Sequence, residues 1–260
     1  MELPAEIRNM IYTIALTDSS GINLVGTFKH RRRTVERVSE DTMMKVSGTD
    51  RWSSSRLNKY SRATNTEPAS LVASLLAVNK QIYQEARDML YGNVFIFADS
   101  FALYSFLINL GPVSCKYLKT ISLLGWGFGR AMKAYNHACF STLVSATNIT
   151  TFHIDARIGY YRAPKGAVEQ LYRDAFPWME AIGAASGRAD AVLDVLQFGD
   201  NCFDTVTFFD EQTQDVRRQQ RVDEFKAALS ELLNAQQKRV IGSPVKKKKK
   251  TSKRAISDEP

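Results

Sequence analysis

At 260 residues, 44% hydrophobic and 24% charged, the chain has the composition of a folded protein with a sizeable core in one or two domains. Its net charge of +8 is concentrated: nine Lys and Arg against two Asp and Glu lie from Lys238 onward, and ten against four between Lys29 and Arg62. The rest of the chain stands at −5, which argues against a basic nucleic-acid-binding face on the folded core.

Taken in chain order, Leu3–Leu16 reads as a helix, with Pro4 in its first turn, Glu6 near its positive end and Leu3, Ile7, Ile11 and Ile14 on one apolar stripe. Ile22–Phe28 reads as a short strand. The segment 29–68, with "HRRR", "DRWSSSR" and little apolar periodicity, reads as a disordered insertion. A second helix is expected from Ser70 as its cap through Leu71, Leu75, Val78, Ile82, Ala86 and Met89, ending at Gly92-Asn93. Strands and helices then alternate. Strands are expected at Val94–Ala98, Tyr117–Gly125, Ile149–Arg157 and Ala191–Gly199, with Thr205–Phe209 at an edge. Helices are expected at Asp99–Gly111, stopped by Gly111-Pro112, at Asn136–Thr147 and at Gly166–Ala185. Such alternation implies crossovers and a largely parallel sheet. The fold class is therefore α/β (α+β overall): a helical module at 1–98 and a degenerate, leucine-rich-repeat-like layer at 99–237. A last helix over Asp215–Gln237 presents Val222, Phe225, Leu229 and Leu232, and 238–260 reads as a disordered basic tail.

Two motifs stand out. "LPAEIRNMIY" (Leu3–Tyr12) and "LLAVNKQIYQEARDMLYGNVFIF" (Leu75–Phe97) each carry a Glu-x-Arg triplet beside an Ile-Tyr pair. Together they resemble the fungal F-box-like proteins of the two-EXR domain family, named for a pair of such triplets. The resemblance covers the two segments well and the following elements loosely. In an ordinary F-box the helices follow one another, whereas here about fifty residues intervene. It implies a helical protein-docking module in which Leu3, Pro4, Ile7, Ile11, Val78, Ile82 and Tyr83 form the module core or the partner contact. If the two helices pack together, Glu6 is placed to pair with Arg87 and Glu85 with Arg8, arginine forking onto carboxylate. Solvated charges on both helices are the competing reading.

Other motifs carry less. Gly125, Gly127 and Gly129 follow a strand but lack the Gly-x-Gly-x-x-Gly spacing and a Walker lysine. They read as a flexible loop, with Trp126 and Phe128 covering the sheet edge or forming a contact surface. Cys115, Cys139 and Cys202 are odd in number and widely spaced, as expected of reduced thiols packed as small hydrophobes. His137 and Cys139 could join Cys115 or Cys202 at a metal, but neither Cys-x-x-Cys nor His-Glu-x-x-His spacing occurs. His153 reads as a satisfied or surface strand histidine. No catalytic residues, cofactor or metal site are therefore expected, and no enzyme. Apolar runs are too short to span a bilayer. No signal peptide is legible, since Glu2 and Glu6 stand where a basic region would. In "SPVKKKKKTSKR", Lys246, Lys247, Lys248, Lys249, Lys250, Lys253 and Arg254 read as a nuclear import signal, with Ser243-Pro244 beside it as a phosphorylation switch.

The expected function is a non-enzymatic protein–protein interaction module in the nucleus, or nucleus and cytoplasm. In the version implied by the resemblance it is an F-box-like substrate adaptor, whose partners are a cullin-ligase linker and a substrate, besides a nuclear import carrier. The rival is a nucleic-acid-associated protein acting through its basic insertion and tail, bound nonspecifically and weakened by salt. A nucleotide-binding or hydrolytic enzyme at the glycine loop is a third option, testable by ligand-dependent thermal stabilisation.

Overall fold

The computed structural model describes residues 3–47, 71–127, 129–156, 158, 164–199, 202 and 211–242. In chain order these form α1 (Ala5–Leu16), β1 (Ile22–Lys29), β2 (Arg32–Arg37) and α2 (Glu40–Ser47). A 3-10 turn at Ala73–Ala77 precedes α3 (Lys80–Tyr91), β3 (Val94–Phe97), α4 (Ser100–Cys115) and β4 (Thr120–Leu123). Then come α5 (Gly129–Leu143), β5 (Thr151–Ile154), α6 (Pro164–Ser186), the single turn α7 (Val192–Val195), β6 (Leu196–Phe198) and α8 (Glu211–Gly242).

The fold is α/β, built on a six-stranded sheet in the order β2-β1-β3-β4-β5-β6. Every pair is parallel except the β1–β2 hairpin. Among the parallel strands β1, β3, β4, β5 and β6, position in the sheet follows position in the chain, with β2 on the other flank of β1. The register places Ile22, Phe95, Ile121, Phe152 and Leu196 in one row and Leu24, Phe97, Leu123, Ile154 and Phe198 in another, on the same face. This face packs on α4, α5, α6 and α8 through Leu103, Leu107, Phe140, Leu171, Trp178 and Phe225. In β4 and β5 apolar residues alternate with polar ones because successive side chains point to opposite faces, whereas β3 is apolar throughout. At the centre, Phe140, Phe152 and Trp178 form a triangle of rings 5.0–5.8 Å apart. The opposite face carries Asn23, Ile96, Ser122, His153 and Gln197 in one row. There α2 adds a small cluster of Met43 on Val25 and Ala98.

The segment 29–68 is not disordered throughout. Lys29 ends β1, and residues 32–47 supply β2 and α2; Gly48–Ser70, the expected Ser70 cap included, lies outside the described residues. The order comes from pairing rather than apolar periodicity. β2 hydrogen-bonds to β1 from Arg32 to Arg37. Arg33 lies over the rings of Tyr104 and Tyr135, 5.6 and 5.1 Å from their centroids. β3 pairs directly with β4, so one sheet runs across residue 98, the expected boundary between the helical module and the layer after it.

Smaller differences have local causes. The second helix starts at Lys80, because the Asn79 side chain caps it by accepting from the Ile82 N–H at 2.8 Å. Leu75 belongs instead to the preceding 3-10 turn. Gly111, at φ 78° and ψ 162°, interrupts α4 at the expected stop, and Pro112 opens a further turn that runs to Cys115. The expected strand over Ala191–Gly199 is one helical turn and then three strand residues. α6 runs through Pro177 to Ser186. α8 continues to Gly242, five residues into the expected tail, and buries Leu233 where Leu232 is only half-buried. Trp126 is buried against Phe140 rather than on a contact surface. Phe128, Thr205–Phe209 and the lysine run lie outside the described residues.

Candidate functional site

α1 runs into β1 and α3 into β3, so both helices sit at the N-terminal edge of the parallel strands. They pack on each other through Tyr12, Leu16 and Ala86, with Leu75, Leu76, Ile82, Met89 and Leu90 around them. Asn93, just past α3, locks the two chain entries together. Its Nδ2 donates to the carbonyls of Leu16 (2.8 Å), Leu90 (2.7 Å) and Met89 (3.2 Å), and its Oδ1 accepts from the Asp18 N–H at 2.8 Å. Asp18 also pairs with Arg37, which fastens the hairpin to the same corner.

The Glu-x-Arg triplets meet here, in one pairing of the two expected. Arg8 forks onto Glu85, with Nε to Oε2 and Nη2 to Oε1 both at 3.0 Å. The Tyr12 hydroxyl donates to Glu85 Oε2 at 3.0 Å and Gln81 Nε2 to Oε1 at 2.9 Å. These donors, Gln81 and Arg8 foremost, hold the Glu85 carboxyl below its ordinary range. Burial, followed by the hydrogen bond to Glu85, pushes the Tyr12 phenol up. The Glu85 hydrogen bond raises the Arg8 guanidinium. Glu6 and Arg87 do not pair. Arg87 lies 4.2 Å from the centroid of the Tyr117 ring and 5.7 Å from that of Tyr83, and its ion pair is with the adjacent Asp88 at 3.6 Å.

The stripe expected to fill the module core faces outward. Leu3, Ile7, Met10, Ile11 and Ile14 are exposed, from 42% for Ile7 and Ile11 to 79% for Ile14. Pro4 and Val78 are exposed too, while Ile82 and Tyr83 are half-buried. α1 thus buries a narrow face of Tyr12 and Leu16 and shows a broader aliphatic one. Periodicity alone could not choose between these faces. The signal that could have done so is Arg8, whose partner lies across the helix pair and which shares a face with Tyr12.

Residues 1–143 match a family model described as a domain of unknown function, DUF7730. The chain belongs to this family. No curated protein and no solved structure matches it. The DUF7730 match ends with the last residue of α5 and therefore takes in both triplets, the hairpin and the sheet as far as β4.

The remaining candidates make local packing and hydrogen-bond contacts, within the DUF7730 part and beyond it. A Cβ on Gly125 would meet the Ala98 carbonyl oxygen at 2.3 Å, so this glycine permits a close approach of backbone. The Gly127 backbone is held at both N–H and C=O by the buried Asn136 amide, at 3.2 and 3.1 Å. Asn136 in turn donates to the buried Asp174, which also accepts from Gln170 at 2.5 Å. Cys115, Cys139 and Cys202 are free and buried. Burial pushes the Cys115 thiol to about 11 and the Cys139 thiol further up. No group of three or more metal-capable side chains occurs among the described residues. His153 Nδ1 lies 3.2 Å from the Ser122 hydroxyl, its neighbour across the sheet. Among the described helices none is long and apolar enough to cross a membrane.

Proposed function

We propose that α1 and α3 form a docking module for another protein, acting without catalysis. In its specific form the module is the F-box-like adaptor of a cullin-type ubiquitin ligase, with the linker on α1 and a substrate on the α/β layer. The observation that carries the reading is the aliphatic face of α1. Four large apolar side chains, Ile7, Met10, Ile11 and Ile14, with Leu3 just before them, stand in water on a helix whose other face is fixed by Tyr12, Leu16 and the Arg8–Glu85 fork. Contiguous exposed apolar surface of this kind marks interaction sites. A helix already held in place loses little freedom when a partner covers it. The two-EXR resemblance and the lysine-rich tail, as an import signal, support the same picture of a nuclear adaptor.

The test is titration of purified cullin-ligase linker into the full chain, followed by calorimetry. Binding is expected, with loss of measurable affinity in the double variant Ile7→Asp, Ile11→Asp. Both positions are exposed, so thermal stability should hold. Absence of heat with the parent chain would remove the ligase form. Identical sets of co-purifying proteins for parent and variant would remove the docking reading as a whole.

A further inference from the structure

β1 is eight residues long but pairs with β3 only from Ile22 to Leu24. From Val25 onward its one hydrogen-bonded neighbour is β2, so five residues run about 16 Å past the end of β3. The base of this arm is built in. A Cβ on Gly26 would meet the Phe101 ring at 2.4 Å, and Arg33 is held over Tyr104 and Tyr135, with its Nη2 3.2 Å from the Tyr135 hydroxyl. The tip is bare: Phe28, Lys29, His30, Arg31 and Arg32 are all exposed, Phe28 at 65%. Neither Arg31 nor Arg32 has an ion-pair partner among the described residues, and Lys29 has only the exposed Glu36 at 3.2 Å.

The turn itself is made at a cost in stability. His30 and Arg31 take φ of 50° and 62°, the two left-handed positions of a hairpin turn that favours Asn-Gly. Phe28 lies on the Arg33 face of the hairpin and Lys29 and Arg32 on the other, and cations that merely guard an edge strand need neither a strained turn nor a bare phenyl ring at the same tip. We infer that the tip Phe28–Arg32 binds single-stranded nucleic acid that passes over the turn, with Lys29, Arg31 and Arg32 on phosphates and a base stacked on Phe28 on the Arg33 face. An acidic peptide has no use for the ring, and a duplex keeps its base faces stacked away from it. The tip lies at the opposite end of β1 from α1, so this contact does not depend on the docking reading.

The test uses the full chain with Lys246, Lys247, Lys248, Lys249, Lys250, Lys253 and Arg254 replaced by glutamine, which silences the tail. A labelled fifteen-residue oligothymidylate is titrated and read by fluorescence anisotropy. Three phosphate contacts predict that a fourfold rise in salt weakens binding about 20-fold. Arg31→Gln with Arg32→Gln should weaken it roughly tenfold or more at low salt, and Phe28→Ser about fivefold or more. His30→Asn with Arg31→Gly should raise the melting temperature and still weaken binding. The inference is overturned if the tail-silenced chain does not bind, or if Phe28→Ser binds like its parent. It is equally overturned if polyglutamate or a duplex competes as well as unlabelled oligothymidylate.

Discussion

At the scale of residues, one ion pair forms where the two triplets offered two, and helix geometry explains it. Positions two apart on a helix differ by roughly 200° around its axis. If Arg8 faces α3, Glu6 must face away, and if Glu85 faces α1, Arg87 must do the same. Each helix can therefore send one member of its triplet across, and the remaining arginine finds the Tyr117 ring. A double-mutant cycle on Arg8 and Glu85 should give a clear coupling energy, while the same cycle on Glu6 and Arg87 should give none within error. Acid offers a second check. Because the folded-state value of Glu85 lies below its ordinary 4.5, the stability it contributes is present above that pH and is lost as pH falls through the folded value. Glu85→Gln should flatten the acid limb of a stability–pH curve in part; Asp18, likewise lowered by the Ser20 and Arg37 contacts, keeps the remainder. The triplets made the meeting of the two segments legible from the residues, but the direction of the outward-facing isoleucines was not. An aliphatic stripe looks the same whether it faces a core or a partner.

Elements were legible in proportion to the apolar surface they bury. β3, β4, β5 and α4 to α6 were visible because each puts a run of large side chains into the shared core. β2 was not, because its one apolar core contact is Val35 and its anchorage is a guanidinium over two tyrosines, which no periodicity reports. β6 was blurred for the opposite reason: "AVLDVLQF" is apolar enough for either helix or strand, and the structure uses it for both. α8 shows how an element with modest patterning is held by a few contacts. Phe225 is fully buried and meets Phe198 edge-on at 4.8 Å. Phe225→Ala should cost about 3–5 kcal/mol, measured by urea unfolding. An unchanged midpoint would mean that the helix is not anchored there.

For the whole molecule, the sheet rather than the motif sets the folding unit. A fragment 1–98 would leave β3 without β4, exposing a strand edge and the core-facing Phe95 and Phe97. Such a fragment should give neither dispersed amide resonances nor a cooperative thermal transition, while the full chain melts as one unit through both halves of the sheet. A folded, soluble fragment would show that the helical module is a domain in its own right. The strand order has one more consequence. Because each new parallel strand joins at the outer flank of the one before it, the hairpin and β3 make a seam onto which β4, β5 and β6 can be laid as they leave the ribosome. No strand has to be threaded between two that are already paired, so the protein can be knitted in the order in which it is translated.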